Sequence, residues 1–158
     1  MNIKRLMKQS VQTCQPQDSL NTAAKLMWEN NCGTVAVVAD EKVVGMLTDR
    51  DICMAAYIQG RSLHDMQVSS AMSKKVFACR PEDSLAKAEE TLRSNGIRRV
   101  PVTDAKGHLV GILSLDDLAR EARRERKTKG PIELTAEELC DTFGAICEHS
   151  AQTATPAA

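Results

Sequence analysis

Apolar residues recur along this chain with two periods. They stand three and four apart at Leu20, Ala23, Ala24 and Met27, and again at Leu85, Ala88 and Leu92. That is the stripe of a helix with one buried face. Asp18/Ser19 and Asp83/Ser84 stand where N-caps are needed. Asn30-Asn31-Cys32-Gly33 and Asn95-Gly96 tolerate the left-handed backbone that stops helices. Short β-branched runs follow, Thr34–Val38 with Val43–Leu47 and Arg99–Thr103 with Leu109–Leu113, and polar turns separate the members of each pair. They predict two pairs of strands. A second helix is predicted from Asp49 and from Leu115.

The pattern is one unit written twice. Val11-Gln-Thr-Cys-Gln-Pro-Gln-Asp-Ser-Leu20 matches Val76-Phe-Ala-Cys-Arg-Pro-Glu-Asp-Ser-Leu85, 65 positions on, with six of ten residues identical. After one inserted residue, Val44–Asp51 matches Val110–Asp117 at a spacing of 66. Each copy reads β–α–β–β–α, an α/β (α+β) fold class. Such a small unit does not stand well alone, so the copies are expected to share a core. The linker is read at Gly60 to about Ser70.

The C-terminus departs from the repeat. Arg120–Lys129 carries six basic and two acidic residues, read as a solvated helix face with Glu121 and Glu125 pairing to neighbouring arginines. Gly130-Pro131 breaks that helix. Thr135 as N-cap, Glu138 as its reciprocal partner and Leu134 with Leu139 as a staple announce another over 131–150. Leu139, Phe143, Ile146 and Cys147 form its apolar stripe. Residues 151–158, from about Ser150, are expected to be disordered.

Composition narrows the function classes. The 158 residues balance 21 Lys+Arg against 21 Asp+Glu, so no net field draws the chain to nucleic acid or an anionic surface. Aromatics are only 3%, too few for stacking single-stranded bases. No apolar run spans a bilayer and no export signal opens the chain, which predicts a cytoplasmic protein. The six cysteines are then read as free and mostly buried, Cys140 and Cys147 included. His64, His108 and His149 lack metal-ligand spacing and are read as surface residues. No Walker loop, nucleophile elbow or zincin motif is present.

The most informative chemistry is Gly45-Met-Leu-Thr48-Asp-Arg50-Asp51 and its echo Gly111-Ile-Leu-Ser114-Leu-Asp-Asp117. Each places a hydroxyl after a strand and a carboxylate three residues later. A carboxylate there can accept both hydrogen bonds of a ribose diol, and the hydroxyl can donate to phosphate. The strand glycine would let a ligand approach the backbone. The same spacing is also a capping box, and both readings stand at this point. Arg98 and Arg99, ahead of Val100-Pro101-Val102, offer guanidinium donors to phosphate, or charge a strand edge. The first copy has Gly33 and Thr34 instead, so two phosphate sites would be unequal.

Together these elements resemble a tandem pair of cystathionine β-synthase-type (CBS) domains, a Bateman module. The Pro-x-Asp-Ser-Leu helix start, the Arg-Arg-Val-Pro-Val strand, the doubled Gly-x-x-Thr/Ser-x-x-Asp ending and Val68-x-x-x-Met72 carry the likeness over about Leu6 to Arg124. It implies CBS domains at 6–63 and 70–126, packed sheet to sheet with pseudo-twofold symmetry and two clefts. It implies an adenosine ligand in those clefts: AMP, ADP, ATP or S-adenosylmethionine, with no required cofactor. Asp51 and Asp117 would hold ribose, and Thr48 and Ser114 ribose or phosphate. Arg98 and Arg99 would sit near phosphates, with Arg50 compensating in the first copy. Backbone at Thr13, Cys14, Phe77 and Ala78 would border the base. Family modules also form homodimers.

The expectation is therefore a non-enzymatic regulatory module that binds an adenine nucleotide and transmits it as a change of conformation or dimer arrangement. With the pair filling nearly all the chain, no catalytic domain is expected. The alternative is an adaptor dimer with empty clefts that docks an unknown protein partner through its C-terminal helix. That helix covering its own module is the simpler expectation.

Overall fold

A computed structural model describes residues 2–127, 132 and 134–153. The first repeat contains β1 (Thr13–Cys14), α1 (Leu20–Glu29), β2 (Thr34–Ala39), β3 (Lys42–Thr48) and α2 (Asp49–Gln59). The second contains α3 (Leu85–Asn95), β4 (Arg99–Thr103), β5 (Leu109–Ser114) and α4 (Leu115–Glu125), and α5 (Ala136–Thr153) follows. The mixed α/β class and the doubled unit are as read from the sequence. The second copy lacks a full leading strand: Cys79 makes a single parallel bridge to Val102 where β1 pairs along β2.

Local chemistry sets the boundaries. Ser19 and Ser84 accept hydrogen bonds from the backbone N–H groups of Thr22 and Lys87, capping α1 and α3. Gly96 ends α3 in the left-handed region, and Gly60 does the same for α2. β2 and β3 are antiparallel, with a bulge between Val37 and Val38. Their tight turn puts Asp40 at φ 48° and Glu41 at φ 64°. That is the double left-handed turn that matches strand twist, although Glu41 lacks the freedom of glycine.

The chain divides into two compact units that do not coincide with the repeats. One gathers Ser10–Val76 and Thr103–Leu109; the other gathers residues up to Gln9, Phe77–Val102 and those from Val110 onward. The turn between β4 and β5 joins the first repeat through a bridge between Lys42 and His108, and the rest follows from an exchange of lead-in segments. Met72–Ser73, ahead of the second repeat, lies along the first repeat's β3 and bridges Met46 to Ser73. Met7–Lys8, ahead of the first repeat, lies along β5 and bridges Lys8 to Ile112. Ile3-x-x-x-Met7 is thus the structural echo of Val68-x-x-x-Met72. Each unit closes its own core. Leu20, Val35, Val37, Leu47, Met66 and Val68 fill one, and Ile3, Leu85, Leu92, Val100, Leu113 and Leu118 fill the other.

The C-terminal helix covers its own repeat. Thr135 donates to Glu138 through its N–H and its hydroxyl, both at 2.8 Å, and Glu138 N–H donates back at 3.1 Å. Leu134 and Ile146 are buried with Leu92, Leu118 and Ala122. Full burial of one such side chain contributes about 1.5–3 kcal/mol. This favours self-packing over the docking helix of the adaptor alternative.

Four readings need correction. α5 runs through Thr153, three residues past its expected end at 150; residues 154–158, the rest of the tail expected to be disordered, lie outside the described residues, as does the Gly130-Pro131 break. Only part of the expected stripe is inward: Ile146 is buried, but Phe143 is about half exposed and Cys147 is exposed. All six thiols are free, yet Cys53, Cys140 and Cys147 are exposed and only Cys14 and Cys79 are buried. Glu121 and Glu125 are buried rather than solvated. Glu121 pairs with Arg124, as read, and this guanidinium holds its carboxyl below the usual range. Glu125 accepts from Leu134 N–H at 2.9 Å, which pins the start of α5 to α4.

Candidate functional site

The hydroxyl/carboxylate pairs do form at the strand ends, as capping boxes. Thr48 N–H donates to Asp51 Oδ2 at 2.8 Å, its hydroxyl donates to the same oxygen at 2.7 Å, and Asp51 N–H donates to Thr48 Oγ1 at 3.2 Å. Ser114 and Asp117 repeat this, with Ser114 N–H to Oδ2 at 2.9 Å and Asp117 N–H to Ser114 Oγ at 3.3 Å. Both hydroxyl protons are therefore directed at the carboxylates in this state, not held ready for phosphate.

The two carboxylates differ in what remains. Asp117 is only 6% exposed, and Arg120 donates to its second oxygen, Oδ1. Asp51 is half-buried, and among the described residues no donor reaches its Oδ1. The position matching Arg120 is Met54, which cannot donate. The first repeat thus presents a carboxylate oxygen with lone pairs to spare, the group a vicinal diol needs.

The other candidates split between the two units. Thr13, Cys14 and Arg50 belong with Asp51; Phe77, Ala78, Arg98 and Arg99 belong with Asp117. Thr13 is exposed beside buried Cys14, whose thiol burial and nearby Asp18 push up to about 11. Arg50 is exposed, with its backbone N–H donating to Asp49 at 2.8 Å. Arg98 is exposed, and its guanidinium stands 5.9 Å from the Phe143 ring centroid on α5, a cation–π contact. Arg99 is half-buried at the start of β4. Phe77 is half-buried and Ala78 exposed.

The strand glycines serve the protein rather than a ligand. A Cβ on Gly45 would lie 2.8 Å from Met72 Sδ and 2.9 Å from the Ser73 carbonyl oxygen. One on Gly111 would lie 2.8 Å from Met7 Sδ and 3.0 Å from the Lys8 carbonyl oxygen. The exchanged lead-ins need these glycines. The sequence signal was available in the matching Ile3–Met7 and Val68–Met72 segments.

One cavity of about 350 Å³ opens elsewhere on the first repeat, lined by Ala24, Met27, Trp28, Gly33, Asp49 and Ile52 among others. None of the residues read as ligand contacts lines it. Of the histidines, His64 is exposed, while His108 is half-buried and bonded to Asp104 at 3.0 Å. Among the described residues no cluster has the makings of a metal site, and no helix is long and apolar enough to cross a membrane.

Comparison with known proteins agrees with the doubled unit. The CBS domain model matches twice, at residues 3–57 and 68–124. The CBS domain-containing protein YhcV of Bacillus subtilis is 38% identical over 118 residues, 75% of this chain and 83% of its own length. A conserved CBS domain protein of Thermoplasma acidophilum, TA0289, superposes with a TM-score of 0.75 at 23% identity, over 92% of this chain and 75% of its own. The CBS domain pair of protein MJ0100, solved in complex with 5′-methylthioadenosine and S-adenosyl-L-methionine, superposes with a TM-score of 0.69 at 23% identity, over 76% and 98%.

Proposed function

Because the chain belongs to the CBS domain family, with two copies of the domain in tandem, we propose that it is a regulatory module whose ligand is an adenosine compound seated first at the strand end of the first repeat. The observation that carries this reading is the Oδ1 of Asp51, which accepts nothing from the described residues while Oδ2 is held by Thr48. A ribose diol donates two hydrogen bonds to such a carboxylate. The adenosyl ligands of the MJ0100 domain pair support the ligand class. The first repeat has Gly33 and Thr34 where the second has Arg98 and Arg99, and only exposed Arg50 nearby in sequence. That balance favours a ligand with little phosphate charge, such as AMP or S-adenosylmethionine, over ATP at this position.

Binding regulates only as far as the ligand prefers one conformational state over another. In this reading the module acts as a pair of copies and catalyses nothing itself. The six free thiols fit a reducing compartment such as the cytoplasm.

Titration calorimetry with AMP, ATP and S-adenosylmethionine tests the ligand. Asp51→Asn keeps an oxygen for the Thr48 cap and replaces the free oxygen by a donor. Binding by the wild type, weakened about tenfold or more in the variant, is the expected result. Absence of heat with all three ligands on folded protein overturns the reading.

A further inference from the structure

The balance of 21 cations against 21 acids is a sum over the chain, and α4 sorts its share. Leu115, Leu118 and Ala122 are buried on the inner side of the helix, and Glu121 and Glu125 are buried with them. Ala119, Arg120, Arg123 and Arg124 are exposed, and Asp116 in the first turn is the one exposed acid of α4. Arg126 keeps a helical backbone and Lys127 N–H donates to the Arg124 carbonyl at 3.0 Å, so the helical register runs on to Lys127. Arg120, Arg123, Arg124 and Lys127 then stand three and four apart, one stripe along the outer surface. Arg120 and Arg124 pair with Asp117 and Glu121, yet 59% and 60% of their side chains stay accessible. Arg123 and Lys127 have no acid partner among the described residues.

A distant segment adds to the stripe. The hydrogen bond from Arg124 holds the Glu121 carboxyl low, and Arg5 lowers it further through space, which puts exposed Arg5 near this ion pair. The fold does not require such charge. Helix α2 has the same length of 11 residues, and at the positions of Arg120, Arg123 and Arg124 it carries Met54, Tyr57 and Ile58. The helix dipole accounts for Arg123 and Arg124 in the last turn, but not for Arg120 a turn earlier or for Arg5.

What the face lacks narrows its partner. Its one apolar side chain on α4 is Ala119, so it has nothing to bury in a lipid interface and no large anchor for a protein surface. With no aromatic ring on α4 it does not stack unpaired bases. Repeated negative charge on a firm surface is what it fits. From Arg120 to Lys127 the stripe is about 10 Å long at about 1.5 Å per residue, the axial reach of about three phosphates of one strand. Arginine forks match phosphate oxygens.

We propose that the outer face of α4, with Arg5, binds the phosphate backbone of a nucleic-acid duplex without reading its bases. This goes beyond the adenosine reading and does not rest on it.

Fluorescence anisotropy of a labelled DNA duplex, titrated with the full chain, tests it. A dissociation constant of about 1–100 μM is expected at about 50 mM salt, rising about twentyfold at about 150 mM as some three counterions are released. Arg123→Glu with Lys127→Glu leaves both ion pairs in place. It should weaken binding about tenfold or more, with an unchanged circular dichroism spectrum. If that reversal perturbs folding, Arg123→Gln with Lys127→Gln is the milder pair, and should still weaken binding about threefold or more. Lys25→Glu with Lys74→Glu makes the same change of net charge on exposed residues of the other compact unit. It should stay within about threefold of wild type. No anisotropy change up to about 0.5 mM protein at about 20 mM salt overturns the proposal, as does binding that salt leaves unchanged. Equal losses in the stripe and control variants overturn it too. Tighter binding to vesicles of equal phosphatidylglycerol and phosphatidylcholine, or to polyglutamate, overturns it in favour of a membrane surface or an acidic protein. None of these results bears on the adenosine site.

Discussion

Arg120 holds the buried carboxylate of Asp117 from one side while Ser114 holds it from the other, so both oxygens are engaged. The arginine is the exposed partner, with 59% of its side chain accessible. Such a pair contributes little net stability, since one charge is in water. Its effect is on availability: the second repeat keeps its acid closed where the first keeps one oxygen open.

Arg120→Met copies the first repeat's Met54 into the second. If the proposed ligand site is correct, wild type binds one adenosine ligand per chain tightly, and the variant gains a second site. Calorimetric stoichiometry checks this. Two equal sites in the wild type would remove the distinction drawn between Asp51 and Asp117.

Gly45→Ala and Gly111→Ala should each destabilise the fold by about 1–3 kcal/mol, because the new methyl meets a backbone carbonyl as well as a methionine sulfur. Chemical denaturation gives the magnitude. A neutral result would show that the exchanged lead-ins yield without cost.

Glu41→Gly should stabilise by up to about 1 kcal/mol, because glycine accepts the φ of 64° that the hairpin turn imposes on Glu41. Thermal unfolding reports the change, and a loss of stability would count against the turn geometry.

Burial pushes the Glu89 carboxyl up, more than the hydrogen bond from Thr142 brings it down; nearby Glu138 raises it and Arg93 lowers it. The folded state therefore keeps this proton to higher pH than the unfolded chain, whose reference is 4.5. The stabilisation is complete below that pH and is lost as pH rises through the folded value. Glu89→Gln should be more stable than wild type at pH 7, by about 1 kcal/mol. The gap should close as pH falls toward 4.5. Unfolding midpoints at both pH values decide it; a gap that widens in acid reverses the sign.

Thiol labelling should proceed in two classes. Cys53, Cys140 and Cys147 are exposed and should react in the native state. Cys14 and Cys79 are buried with raised thiol values, Cys14 to about 11, and should wait for unfolding.

What could be read beforehand was what short-range chemistry decides. Serines at 19 and 84, the capping boxes at Thr48 and Ser114, and Gly60 and Gly96 act within one turn of chain, and the element bounds follow from them. Cys140 and Cys147 are exposed against expectation, because a seven-residue spacing tells which residues share a face but not which way it turns. Ile146 and Leu134 settle that by packing against Leu92 and Leu118. In the sequence Gly45 and Gly111 look like openings for a ligand, because the segments that fill them arrive from far along the chain. Nothing near Asp117 in the first turn of α4 announces Arg120's role either, since a helical i,i+3 pair at a site looks like any surface ion pair.

The exchanged lead-ins also bear on how this polypeptide is made. Lys8 waits for Ile112, more than a hundred positions later, before its bridge can form. During translation the segment around Lys8 therefore leaves the ribosome without its final neighbours, and stays so until β5 has been made. Cleaving the gene between the repeats would strand a tethering peptide in each product, so neither half is a self-sufficient building block for fusion or recombination.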